Sequence, residues 1–237
     1  MEYKKEKLSD KIVVCVTEEH KFGTDAFLLS DFADIRDKDI ACDLGTGCGI
    51  IPLLWYKKAA PKMVYAVDIQ HKAIEQLKES VKESDLGNRI VPICADLKSL
   101  SHKSFDQSLD VVTCNPPYKR ENSGIISRTS AEQIARHEIM CTIDDVCGCA
   151  SRILKFGGRL CICNRPERLC DCLDSMRKAG IEPKRIRFVH NRADKAPWLF
   201  LLEGRKGSKS FMKVLPPLIV EGENGFSDEV LRIYGKM

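Results

Sequence analysis

The segment Ile40-Ala-Cys-Asp43-Leu-Gly45-Thr-Gly47-Cys-Gly49 reads as a strand that runs into a glycine-rich turn and then a helix. The apolar start suits a buried strand, and the glycines Gly45, Gly47 and Gly49 permit positive φ and close approach of a ligand to the backbone. Glycine at the first, third and sixth positions would mark a dinucleotide turn. Here the sixth position is Ile50, so that fingerprint fails. An Asp ahead of Gly-x-Gly-x-Gly suits S-adenosyl-L-methionine better: the methionine end of that cofactor carries no pyrophosphate, and Asp43 can accept from its ammonium through backbone or water.

Outward from this turn, short apolar runs alternate with amphipathic stretches. Residues 40–42, 63–67, 90–94, 109–114 and 159–163 read as strands, and 50–58 and 70–84 as helices, the second with an apolar stripe of Ile74, Leu77 and Val81. Pro52 falls in the first turn of its helix, where its missing N–H costs nothing. Thr142 and Asp145 resemble a capping box that opens a helix ending before Gly157-Gly158. Another helix is predicted over 166–179, with Gly180 as its stop. Alternation of this kind implies a parallel sheet covered by helices on both faces. After Gly180 the pattern changes. Residues 186–190 and 198–203 look like strands joined by the polar loop 191–197, too short for a crossover helix, so they should be antiparallel. The expected fold class is α/β: the Rossmann-like shape of methyltransferases, a mostly parallel seven-stranded sheet with a C-terminal antiparallel hairpin.

Length and composition set the frame. The 237 residues fit one large domain, and 43% hydrophobic with 30% charged residues is the balance of a soluble globular protein. The charged opening MEYKKEKLSD does not read as a signal peptide, and no apolar run reaches the roughly 20 residues of a bilayer span. A cytoplasmic protein without a membrane partner is expected. A net charge of +4 is too mild to argue for nucleic acid by itself. Local clusters say more: Lys119 and Arg120, Arg128, Arg136, then Lys184, Arg185 and Arg187, then Arg192 and Lys195. Each is either a solvated face or a phosphate contact. Twelve cysteines include the pairs Cys147/Cys149, Cys161/Cys163 and Cys170/Cys172. Zinc usually takes pairs spaced by two to four residues, so this spacing favours buried structural thiols over a metal site, and no metal is expected.

Two further acids stand where a nucleoside would want them. Asp68 closes the second strand and can take both ribose hydroxyls; Asp96 follows the third strand and can accept from the adenine amino group. Open α/β sheets bind ligands at the carboxyl ends of their strands, and these acids with Asp43 fall at three successive ends. Turn glycines and helix-capping aspartates are the bland alternative. The fourth strand then delivers Asn115-Pro116-Pro117-Tyr118 to the same edge. An exocyclic amine is a poor nucleophile because its lone pair is delocalised into the π-system. Two acceptors on its hydrogens localise that pair, and the Asn115 side-chain oxygen and the Pro116 carbonyl are placed to supply them. The prolines fix φ and force Asn115 to be extended, so the acceptors are rigidly preorganised. Tyr118 offers a flat face for a base taken out of its stack. A plain strand-terminating turn is the alternative here.

These residues resemble the amino methyltransferases of the small-domain class. More narrowly, the chain is similar to the bacterial tRNA1(Val) adenine-37 N6-methyltransferase family. Beyond the two motifs above, the similarity rests on Phe22-Gly23-Thr24-Asp25-Ala26 ahead of Leu28-Leu29, on Arg136-His137-Glu138, and on Val189-His-Asn-Arg192 to Gly204-Arg-Lys-Gly207. The resemblance implies methylation of an adenine beside a tRNA anticodon. It puts cofactor contacts at Asp43, Gly45, Asp68 and Asp96, and Thr24 and Asp25 near the methionine end, with Asn115 between cofactor and amine. The segment 1–39 would be an N-terminal extension that contributes to the cofactor site. The polar, basic segment 119–141 would be the substrate loop, with Lys119, Arg128 and Arg136 on phosphates and His137 ordering the loop through Glu138. The chain departs from the family pattern at Asn191, where proline is expected.

Three other readings share parts of this pattern. Glutamine side-chain N5-methylation also uses Asn-Pro-Pro-Tyr, but in enzymes with an added N-terminal helical domain, for which about 39 residues ahead of the first core strand are too few. Guanine N2-methylation of ribosomal RNA commonly pairs with Phe where Tyr118 stands. A non-catalytic RNA-binding module would have no need of Asp43, Asp68 and Asn115 together.

Overall fold

The structure is a computed structural model that describes residues 3–17, 20–105, 108–116, 141–223 and 225–236. Its main sheet is built from β3 (Ile40–Leu44), β4 (Met63–Asp68), β5 (Ile90–Cys94), β6 (Leu109–Cys114), β7 (Leu154–Asn164), β8 (Ile181–His190) and β9 (Leu199–Lys206). Two short strands, β10 (Lys213–Val214) and β11 (Leu218–Ile219), both pair with β8, so nine strands join among the described residues. The order is β10-β8-β9-β7-β6-β3-β4-β5. The block from β5 to β7 is parallel, whereas β9 runs antiparallel to both β7 and β8. The expected seven long strands are therefore present, with β9 lying between β7 and β8. The two extra strands are two-residue segments laid along the outer edge of β8, covering backbone groups that an edge strand would otherwise leave open. Segments that short carry no periodicity to read.

Helices α1 (Thr24–Phe32), α2 (Ile50–Lys58), α3 (His71–Glu83), α4 (Ile143–Ile153), α5 (Leu169–Lys178) and α6 (Asp228–Tyr234) cover the faces. The capping box opens α4: the Thr142 hydroxyl accepts from the Asp145 N–H at 3.2 Å, and Asp145 accepts from the Thr142 N–H at 2.8 Å. α4 then ends at Ile153 and β7 starts at once, five residues earlier than the apolar run suggests. Pairing shifts register between Leu109 and Val111 opposite this start, beside Gly157 at φ 75. A bulge makes room for the early strand. The helix expected from Pro166 is a 3₁₀ turn over Pro166–Arg168 that passes into α5, which is followed by Gly180 at φ 72.

Two apolar layers form, one on each face. Cys161 and Cys163 fall in the layer of Trp55, Leu28 and Leu53, while Ile162 faces the layer of Phe200, Leu109 and Ile153. That is the alternation a strand imposes. Cys147, Cys149 and Cys172 are buried in the second layer, and burial pushes the thiols of Cys147, Cys149, Cys161 and Cys172 up to about 12. The N-terminal segment holds a hairpin that the sequence did not announce, β1 (Lys4–Lys7) against β2 (Val13–Val16), and then α1. Gln76 and Ser80 on α3 and Ser84 at its C-cap recur every four residues and meet β2: Ser80 Oγ accepts from the Cys15 N–H at 2.9 Å, and Gln76 Nε2 donates to the Cys15 carbonyl at 2.7 Å. Among the described residues, no helix is long and apolar enough to cross a membrane.

Candidate active site

The glycine turn follows β3 and is tied to the end of β4. The Thr46 N–H donates to the Val67 carbonyl at 2.9 Å, and the Gly47 N–H donates to Asp68 Oδ2 at 2.9 Å. Gly45, Gly47 and Gly49 have φ of 69, 54 and 78, a region that glycine enters without the steric cost of a Cβ. A Cβ on Gly45 or Gly47 would enter open space, while one on Gly49 would strike Leu77 Cδ1 at 2.2 Å. The first two glycines thus leave open space over the turn, and the third lets the Leu77 side chain of α3 approach the start of α2.

The expected acids lie at this rim in different states. Asp43 is buried, and its Oδ1 accepts from the Thr113 hydroxyl on β6 at 2.6 Å. Burial raises its carboxyl to about 7, against the opposing pull of that hydrogen bond. Asp68 is also buried and accepts twice from backbone, from Gly47 on Oδ2 and from the Gln70 N–H on Oδ1 at 2.9 Å. Asp96 caps a 3₁₀ turn, its Oδ1 accepting from the Lys98 N–H at 2.9 Å. Ile69, between β4 and α3, is 41% exposed beside Asp68. An apolar residue directly after a strand-end acid is the signal that picks Ile69 out of the sequence.

Asn115 sits at the end of β6, and β6 pairs directly with β3. Its Nδ2 donates to Asp25 Oδ2 at 3.0 Å, and its Oδ1 accepts from Cys163 Sγ on β7 at 3.1 Å. Asp25 stands in the first turn of α1, with Oδ1 accepting from the Ala26 N–H at 3.0 Å. Thr24 Oγ1 accepts from the Tyr234 hydroxyl at 3.0 Å. The structure therefore brings Thr24, Asp25, Asp43, the glycines, Asp68, Asn115 and Pro116 to one rim. Pro117, Tyr118, Lys119, Arg120, Arg128, Arg136 and His137 lie outside the described residues. Of the remaining basic clusters, Arg185 and Arg187 are held by Glu203 at 2.7 Å and Glu229 at 2.7 Å, and Arg192 pairs with Asp194 at 3.4 Å.

The family model "Methyltransferase small domain" matches residues 14–168, well over half of the chain and the whole run from β3 to Asn115. The chain belongs to this family. It is an S-adenosylmethionine-dependent methyltransferase. Its relatives include a tRNA1(Val) (adenine(37)-N6)-methyltransferase of Phocaeicola vulgatus, 28% identical over 77% of this chain and 75% of the relative. Another of the same name, from Bacteroides fragilis, is 23% identical over 90% of this chain and 88% of its own length. Among solved structures, a predicted O-methyltransferase from Agrobacterium tumefaciens superposes with a TM-score of 0.72 at 20% identity, covering 90% of this chain and 96% of that one. Thermus thermophilus TrmN gives 0.53 at 21% identity over 76% and 48%. These superpositions confirm the Rossmann-like methyltransferase fold. The open space over Gly45 and Gly47, with the Asp68 carboxylate on the Gly47 N–H and Asp25 bonded to Asn115 after the neighbouring strand, fits a cofactor with a cationic methionine end and a ribose.

Proposed function

We propose that this methyltransferase modifies the N6 amine of an adenine in tRNA, beside the anticodon. The supporting observation is the placement of Asn115 directly after β6, next to the glycine turn that follows β3, on the rim where a cofactor and a base would meet. The names of the relatives point to the same substrate.

The cofactor supplies an electrophilic methyl group. What the chain itself does follows from its side chains. Asn115 Oδ1 and the Pro116 carbonyl take the hydrogens of the amine, aiming its lone pair outward. Asp25 and Thr24 face the methionine end from α1, Asp43 backs the turn from beneath, Asp68 takes ribose hydroxyls through lone pairs its two backbone partners leave over, and Asp96 takes the adenine amine. Ile69 adds an apolar surface for the purine. No strong base is required, because the methylated amine is a cation that sheds its proton readily. Position and orientation carry much of the rate. Residues 1–39 complete the cofactor end of a single domain, and 119–141 form the substrate loop, where Tyr118 stacks on the base, Lys119, Arg128 and Arg136 meet phosphates, and His137 orders the loop.

The test is incubation with tritiated cofactor and separate pools of tRNA, ribosomal RNA and release factors, followed by nucleoside digestion. Label in N6-methyladenosine from tRNA is the expected result. Label in N2-methylguanosine or in protein would replace this reading with a rival.

A further inference from the structure

Asn115 is gripped from two sides by partners of opposite hydrogen-bonding character. Asp25 is an acceptor, so the amide must turn its NH₂ toward that carboxylate. The amide oxygen is then the atom left facing the thiol of Cys163, which donates to it at 3.1 Å. Cys163 is fully buried near the end of β7, on the strand next to β6. Its side chain is packed in the buried apolar layer.

A carbonyl oxygen has two lone pairs. With one directed at the thiol, the other keeps a fixed direction. We propose that Cys163 is a positioning residue for methyl transfer: its thiol fixes the Asn115 rotamer in which Oδ1 faces the incoming amine. It acts through Asn115 and touches neither substrate nor cofactor. The inference deepens the amine-methylation reading and rests on it.

Kinetics and side-chain amide NMR on the full chain decide the matter. Cys163→Ala is expected to lower kcat roughly fivefold, the size of one weak hydrogen bond, with KM for the cofactor and the melting temperature near parental. Cys163→Ser keeps a donor and returns kcat to the parental value. The Asn115 NH₂ resonances, assigned by their loss in Asn115→Ala, shift in Cys163→Ala and return in Cys163→Ser. Parental kcat in Cys163→Ala, unmoved Asn115 resonances, or a loss that serine fails to rescue each overturns the proposal. The spectra need no substrate. A parent enzyme that leaves tRNA unmethylated would therefore defeat the substrate reading, while the resonances still judge the role of Cys163.

Discussion

The two ends of the central strands treat charge in opposite ways. Toward the amino side, cations meet anions: Arg159 lies 3.3 Å from Asp39 and 3.7 Å from the buried Glu203, which also pairs with Arg185 at 2.7 Å. The same two arginines donate to the carbonyls of Ala33 and Phe32 at 2.8 and 2.6 Å, closing the C-terminal end of α1. At the carboxyl rim, Asp25, Asp43 and Asp68 are held by neutral donors instead: an amide, a hydroxyl and backbone N–H groups. Matched charge fixes one end of α1 in place. At the rim, burial pushes Asp43 toward its neutral form, whereas at the amino side the buried Glu203 meets cations. Helix α1 spans both regimes, carrying Asp25 at its first turn.

Five substitutions can break or sharpen this contrast. The largest effect is expected from Asn115→Ala, which should lower turnover on the order of 10²–10³-fold, the loss of one preorganised contact. Cofactor affinity measured by calorimetry should barely move. Next is Arg159→Met on the amino side, expected to cost about 3 kcal/mol in chemical denaturation because Glu203 and Asp39 lose a buried partner. Cofactor affinity of the folded fraction should stay parental; a large loss would show that the two ends are not separable.

Asp43 gives a pH signature. Burial raises its folded-state value from 3.8 to about 7, so the fold favours the protonated acid. That contribution is complete below about pH 4, declines as pH rises, and is gone above about 7, at up to ~1.4 kcal/mol per pH unit. Asp43→Asn should flatten the stability profile across this window, and an unchanged slope in urea melts would show that Asp43 stays ionised. The smallest effect comes from a matched pair. Gly45 and Gly157 have φ of 69 and 75, each with open space for a Cβ. Alanine at either should cost about 1 kcal/mol of stability, yet only Gly45→Ala should weaken cofactor binding. Equal affinities would remove the glycine turn from the cofactor site.

Much of this was legible because the signals are local. The strand-turn-helix around Asp43, the Thr142–Asp145 box and the short 191–197 loop each carry their geometry within a few residues. The bonds that organise the rim are long-range. Asp25 meets Asn115 across 90 residues, and Cys163 meets it across 48. No spacing rule encodes either. Asp68 shows the intermediate case: its position at a strand end could be read, but its grip on the Gly47 N–H could not, since that bond needs the parallel pairing of β3 with β4. The strand β7 was shortened in reading because Gly157-Gly158 looks like a stop, whereas a bulge absorbs it.

The stack of Tyr234 on Phe27, with ring centroids 4.2 Å apart, joins distant parts of the chain, and the Tyr234 hydroxyl bond to Thr24 spans 210 positions. A ribosome makes them in order, so a nascent chain must carry the opening of α1 without this support until residue 234 has emerged. The opening of α1 consequently gains this support only when translation is almost complete.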